Sequence, residues 1–397
     1  MRVSVLSALA GKFQPGMYGL SLLVLLSHKL DYATAALVAS GSAWGTVTTP
    51  LRGRLLDRFP YARVLWPLLL LHIGFLGLLI VSLDQGFPHW ALLLTALCAS
   101  VVVPPIGTVT RVTWRARSTP AVLQTALALD AVLADIGFMV GPVLAIGLSR
   151  AISPIAGVVT CAVLMILAVP LVLRNAHGIA FERSPNRAHL AGPLRRARAR
   201  WVFLVAALFF FGVSVMEIVL ASFGSGSKVT LTGGTVLSII AVASVIGGLA
   251  VGGLPTTLSQ RLTQPSVIIA VIAGAVLLMA GLLALADWSV YLACVPVGLC
   301  LGPSFVAIYG AAGDAAAPGE QAETQSWVGS ALMAGGALGA ATGGWAVQSY
   351  GHAAALATAG LAMACGALAG TRVARQQAVE PQAEPLADTL HPFSDER

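Results

Sequence analysis

Charge is scarce in this sequence: Asp, Glu, Lys and Arg together make up 10% of 397 residues, and only three of the cations are lysines. A soluble domain carries about a quarter of its residues as these four types, so too little charge is present to clothe a water-exposed surface. Cysteine is also sparse. Cys98, Cys161, Cys294, Cys300 and Cys365 are odd in number and sit in apolar runs without ligand spacing, which excludes a disulfide framework and a thiolate metal site and leaves them as small packing residues. No glycine-rich nucleotide loop, no metal-spaced His/Cys set, no catalytic-triad pattern and no basic soluble module is present. A membrane enzyme or sensor is therefore the remote alternative, and a nucleic-acid partner is not expected.

What the chain has in abundance is apolar length. Hydrophobic residues make up 57%, and the mean hydropathy is +0.86. Twelve apolar runs approach the length that spans a bilayer: residues 3–27, 32–51, 64–83, 90–110, 121–149, 151–173, 201–223, 231–254, 265–286, 288–311, 324–349 and 352–371. The expected fold is an all-α membrane protein of twelve transmembrane helices, with no soluble domain between them. The first run is too long and too well continued to be a cleaved signal peptide. Charge placement sets the orientation. With the N-terminus cytoplasmic, nineteen Lys and Arg fall on inside segments against Lys29, Arg150 and Lys228 outside, with Lys12 in the first helix, so both termini are expected in the cytoplasm.

The longest polar interruption, "RNAHGIAFERSPNRAHLAGPLRRARAR", occupies residues 174–200. It divides the chain into a six-helix bundle at 1–173, a basic cytoplasmic linker at 174–200 and a second six-helix bundle at 201–372. The polar, proline-containing tail at 373–397 is expected to be disordered. Gly335, Gly339 and Gly343 recur four apart, as do Gly248 and Gly252, making smooth helix faces against which another backbone can pack closely.

Between the second and third runs the chain reads "GRLLDRFPYAR". This resembles the G-x-L-a-D-R-x-G-R-[KR] signature of the major facilitator superfamily (MFS), matched by Gly53, Leu55, Asp57, Arg58 and Arg63. Pro60 stands where a glycine is usual. The glycine suits a tight cytoplasmic turn, and Asp57 can face the N-terminal dipole of a neighbouring helix and pair with Arg58. The resemblance implies the MFS fold and makes this cluster a conformational latch. In the fifth run "GFMVGP", with Gly137, Gly141 and Pro142, is similar to the core of the motif of the antiporter branch, though Val143, Leu144 and Ala145 replace a further glycine pair. Ser326-Trp327, early in the eleventh run, adds a looser similarity to bacterial exporters. The resemblance implies a multi-pass protein of a bacterial cell membrane, working as a monomer.

Ionisable groups inside the runs point to a pathway. Lys12, Asp130, Asp135 and Glu217 would each cost about 3 kcal/mol or more facing lipid at the bilayer centre, so each should face the bundle interior or water. Thr119 and Pro120 read as a helix start, which places Asp130 roughly 15 Å deep and Asp135 about a turn and a half beyond it; Glu217 lies roughly 24 Å from the inner end of its run. At 100° per residue Asp130 shares a line with Gly137 and Gly141, whereas Asp135 points away. The two aspartates therefore cannot pair. Lys12, read as the only cation within the membrane, is a partner for Asp130 or for an anionic substrate group. His72 reads as a satisfied interior histidine, and Gln14, Tyr18, Gln124, Tyr309, Gln325 and Trp327 are candidates for lining a cavity.

The expected function is proton-coupled efflux of a small organic molecule by alternating access, with protons, the substrate and the lipid bilayer as partners. No cofactor is expected beyond a proton gradient. Uptake or facilitated diffusion of a nutrient is the alternative on the same fold. Asn at Asp130 or at Asp135 is expected to fold and insert but to lose proton-driven transport.

Overall fold

The computed structural model describes residues 2–41, 45, 47–178, 192–222, 233–285 and 290–379. Every regular element among them is helical. The first group comprises α1 (Arg2–Ser27), α2 (Tyr32–Ser40), α3 (Thr49–Arg58), α4 (Tyr61–Asp84), α5 (His89–Val101), α6 (Ile106–Arg117), α7 (Pro120–Ala151) and α8 (Ala156–Ala176). After a short 3-10 turn at Gly192–Arg195 come α9 (Ala197–Ser222), α10 (Gly233–Gly253), α11 (Thr256–Leu262), α12 (Pro265–Leu285), α13 (Val290–Ala315) and α14 (Gln321–Val379). Nine stretches among the described residues are long and apolar enough to cross a membrane, and one of them spans Gln321–Gln376. That stretch is interrupted at Gly351, whose φ of 82° is left-handed backbone that glycine adopts at little cost.

Several boundaries differ from the sequence reading. The fourth run does not stop at residue 110: α5 breaks at Pro104-Pro105, and α6 carries the span to Arg117. Prolines without a backbone N–H account for the break. Within the stretch read as the linker, α8 runs to Ala176 and α9 starts at Ala197; residues 179–191 lie outside the described set. The segment expected to be disordered begins too early at 373, since α14 continues to Val379, and 380–397 are not described.

Packing follows the small residues. A Cβ on Gly335, Gly339 or Gly343 would lie 2.0 Å from the Ala207 carbonyl oxygen, 2.3 Å from that of Phe211 and 3.0 Å from Val215 Cα, so the α14 stripe seats α9. On α10, Gly248 faces Val132 and Gly252 faces Ala128, which seats the second group of helices on α7 of the first. Gly137 and Gly141 seat α1: a Cβ would stand 2.5 Å from the Lys12 carbonyl oxygen and 2.8 Å from the Gly16 carbonyl carbon. Backbone cannot swing aside as a side chain can. Gly137→Ala is expected to cost about 1–3 kcal/mol through overpacking, read as a lower melting temperature in detergent. Gly74→Ala, which meets nothing within 4 Å, should match or exceed the parent because alanine favours helix.

Candidate functional site

Three charges meet where α1, α6 and α7 converge. Asp130, 3% exposed, accepts from Lys12 Nζ at 2.8 Å and from Arg111 Nη1 at 3.1 Å, both through Oδ2. Neither Oδ1 of Asp130 nor Nε of Arg111 has a hydrogen-bond partner. The Arg111 guanidinium lies over the ring of Tyr309 on α13, 4.0 Å from its centroid, a cation–π contact between the two helix groups. The approach of α1 follows from the Gly137 and Gly141 seam, and the close seam is what brings the Lys12 ammonium to Asp130.

The expectation that Lys12 is the only cation in the membrane is therefore corrected. Arg111 is 7% exposed and lies one residue beyond the apolar run 90–110. Its signal in the sequence was amphipathicity: in "IGTVTRVTWRAR" arginines recur among apolar and threonine residues at i and i+4, a pattern that makes a helix face rather than a loop. Arg52 is buried as well, and donates to the carbonyls of Val103 and Gly45 and to Thr49 Oγ1. It ties the start of α3 to the chain just before the proline break.

Asp135 stands apart from this cluster. Its Oδ2 accepts from Ser244 Oγ of α10 at 2.6 Å, so its partner is a neutral hydroxyl on the other group of helices. Glu217 is exposed on α9, away from both aspartates in the chain and on a different helix. His72 is only half satisfied: Nδ1 bonds the Ala99 carbonyl at 2.8 Å, while buried Nε2 has no partner. Tyr18 lies beside it at 5.8 Å between centroids, its hydroxyl also without a partner. Gln14 is buried. Gln325 donates to the Tyr309 carbonyl at 3.1 Å, and Trp327 stacks on Phe203. Gln124, read as a cavity residue, instead donates to Ser259 and lies 3.4 Å from Thr263 Oγ1 near α11.

The signature segment makes a cross-group contact of its own. Gly53 lies inside α3, not in a turn, and a Cβ there would come 2.5 Å from Ser326 Oγ and 2.6 Å from the Ala322 carbonyl oxygen. The missing side chain lets the start of α14 approach. Asp57 then accepts from the backbone N–H of Ala322 at 2.9 Å and of Glu323 at 2.7 Å, where the free amides and the helix dipole favour an anion. Burial pushes the Asp57 carboxyl up to about 7, with the two amides pulling the other way. Arg54, absent from the motif as read, donates to both carboxylate oxygens of Glu323, at 3.1 and 2.7 Å. Arg58 and Arg63 are exposed.

Further ties join the same two groups of helices. Arg115 donates to Asp314 and to the Gly310 carbonyl, each at 2.8 Å, Thr125 donates to the Gly252 carbonyl at 2.9 Å, and Thr108 lies 3.4 Å from Ser326 Oγ. The 3-10 turn rests on the contact too. A Cβ on Gly192 would stand 2.5 Å from Glu323 Oε1, and Arg196 pairs with Glu320 at 3.7 Å.

Comparisons place this architecture. The family model described as Major Facilitator Superfamily matches residues 5–324. Among solved structures, the E. coli fucose:proton symporter FucP aligns with a TM-score of 0.67 at 14% identity, over 94% of this chain and 98% of that one. The human organic anion transporter MFSD10 aligns with a TM-score of 0.67 at 15% identity, over 93% and 98%. A bacterial homologue of the iron transporter ferroportin, in its outward-facing state, aligns with a TM-score of 0.67 at 16% identity, over 94% and 98%. At these identities the likeness concerns the fold. No curated sequence matches significantly.

Proposed function

Because the chain belongs to the major facilitator superfamily, we propose that it is a proton-coupled secondary transporter of a small organic molecule, in which helices α1–α8 and α9–α14 rock as two bodies about a central site. On the positive-inside reading the end at which Asp57 and Arg54 hold α14 is the cytoplasmic end, and these contacts support a state closed at that end. Asp135 is the proton carrier. The observation that supports it is the bond from Ser244: an acid that, among the described residues, accepts from a neutral hydroxyl on the opposite body changes the contact between bodies when it gains or loses a proton. Asp130, held by two cations, acts as a fixed carboxylate.

Two directions are open to this machinery. The similarity of "GFMVGP" to the antiporter motif supports export. The excess of cation around Asp130 favours uptake, because an anion drawn there travels with a proton. In vesicles with an imposed proton gradient, Asp135→Asn is expected to abolish uphill accumulation of cargo while downhill exchange persists. Gradient-driven accumulation equal to the parent's would remove Asp135 from the role.

A further inference from the structure

The charges around α1, α6 and α7 do not balance locally. Lys12 and Arg111 share one oxygen of one carboxylate, and a buried unmatched charge is costly unless another ion accompanies it. The next anion is Asp135, little more than a turn beyond Asp130 on the same helix α7, which spends its hydrogen bond on Ser244. Around this group, α10 carries no ionisable residue. α13 offers Tyr309 against Arg111, and its Asp314 is taken by Arg115. α8 brings Cys161 and Arg174, the latter in its last turn, and α11 brings Arg261 in its last turn. Two cations and two aspartates therefore occupy this part of the bundle, and with both cations charged their sum is zero only while Asp130 and Asp135 are both ionised.

The unused donors tell the sign of the missing partner. An ammonium has three donors and a guanidinium five; within the cluster Lys12 and Arg111 each spend one on Asp130, and buried Arg111 Nε points to no acceptor. Lys12 keeps 14% of its side chain exposed, which leaves it reachable. With Lys12 and Arg111 both charged, a cationic cargo meets no net negative charge here. An anionic cargo meets a cluster that becomes net positive once Asp135 takes a proton.

We propose that Lys12 and Arg111, with Asp130 fixed between them, seat the anionic group of an organic anion, and that this anion is bound together with a proton on Asp135. The proton comes from the outer solution and leaves Asp135 to the opposite side. Its departure restores the second negative charge and expels the anion. Proton and anion thus move in the same direction, which selects uptake of the two directions above. Asp130 Oδ1, without a partner, is available to a hydroxyl of the same cargo.

The inference rests on the transporter reading, yet the two can fail separately. Two aromatic probes of permanent and opposite charge, benzenesulfonate and tetraphenylphosphonium, keep ligand titration out of the experiment. Benzenesulfonate is expected to bind the purified full-length protein and to bind about tenfold more tightly at acidic than at alkaline pH. In Lys12→Gln the affinity should fall about tenfold, and Asp135→Asn should bind the sulfonate tightly at both pH values. Arg111→Lys, which keeps the charge, guards against a misfolded Lys12 variant and should retain part of the affinity. Binding of the phosphonium alone, binding of neither probe, or sulfonate binding that ignores pH and Asp135 overturns the proposal. Proton-driven movement of the phosphonium would keep the transporter and remove the anion seat, whereas pH-dependent sulfonate binding without coupled proton movement in vesicles would keep the seat and remove the transport reading.

Discussion

Asp130→Asn should lose about 3–5 kcal/mol of stability, the usual result of removing one partner from a buried ion pair. The asparagine is close in shape, so the loss is one of charge: Lys12 and Arg111, brought together by Asp130 Oδ2, would repel each other with no anion between them. This alters the expectation drawn from sequence, in which Asn at either aspartate folds normally and fails only in transport. The two substitutions should now separate. Asp135→Asn loses one hydrogen bond to Ser244 and should remain folded. The check is a melting curve and a size-exclusion profile in detergent for both variants, alongside Asp130→Asn combined with Lys12→Met. The double variant removes one stranded cation and should recover part of the loss. Equal melting of Asp130→Asn and the parent would mean that the cluster is solvated and that its charges are not matched by contact.

Breaking the α3–α14 latch should shift the conformational balance rather than the fold. Hydrogen bonds to a charged group contribute about 1.5–3 kcal/mol each, and Asp57 accepts two from the first turn of α14. Water that replaces those donors in the open state returns much of this. A net change of about 1.4 kcal/mol moves the population about tenfold. In Asp57→Ala the sealed end should therefore open more often. A cysteine introduced at Thr108, which is buried and lies 3.4 Å from Ser326 across the contact, reports it. In a background cleared of the native cysteines, Thr108→Cys should react with a maleimide about tenfold faster when Asp57 is alanine. Identical rates would mean that the Arg54–Glu323 and Arg115–Asp314 pairs hold the end closed unaided.

Much of the arrangement was legible in one dimension because helices have a fixed period. The line shared by Asp130, Gly137 and Gly141 required no structure, and the structure places α1 along it. The divergence of Asp135 was equally readable. Arg111 was not, because its role depends on where a helix ends. A hydropathy run stops at the first cluster of charges, but a helix with proline at its start and threonines and arginines on one face continues into the bundle. The role of Gly53 was misread for a related reason: a glycine near a loop suggests a turn, whereas its function here is to admit another backbone.

By itself the sequence determined that the chain is a helical membrane protein, since only long apolar helices satisfy their backbone in lipid, and that it resembles the major facilitator superfamily through its signature segment. It also determined which faces of α7 and α14 pack closely, because small residues four apart leave one outcome. Only the tertiary structure decided which charges meet. The Lys12–Asp130 contact spans 118 residues, Arg54–Glu323 spans 269, and Asp135–Ser244 spans 109. No local pattern encodes such distances. Coulomb attraction acts between whichever groups the packed backbones bring within a few ångströms, and that choice belongs to the fold.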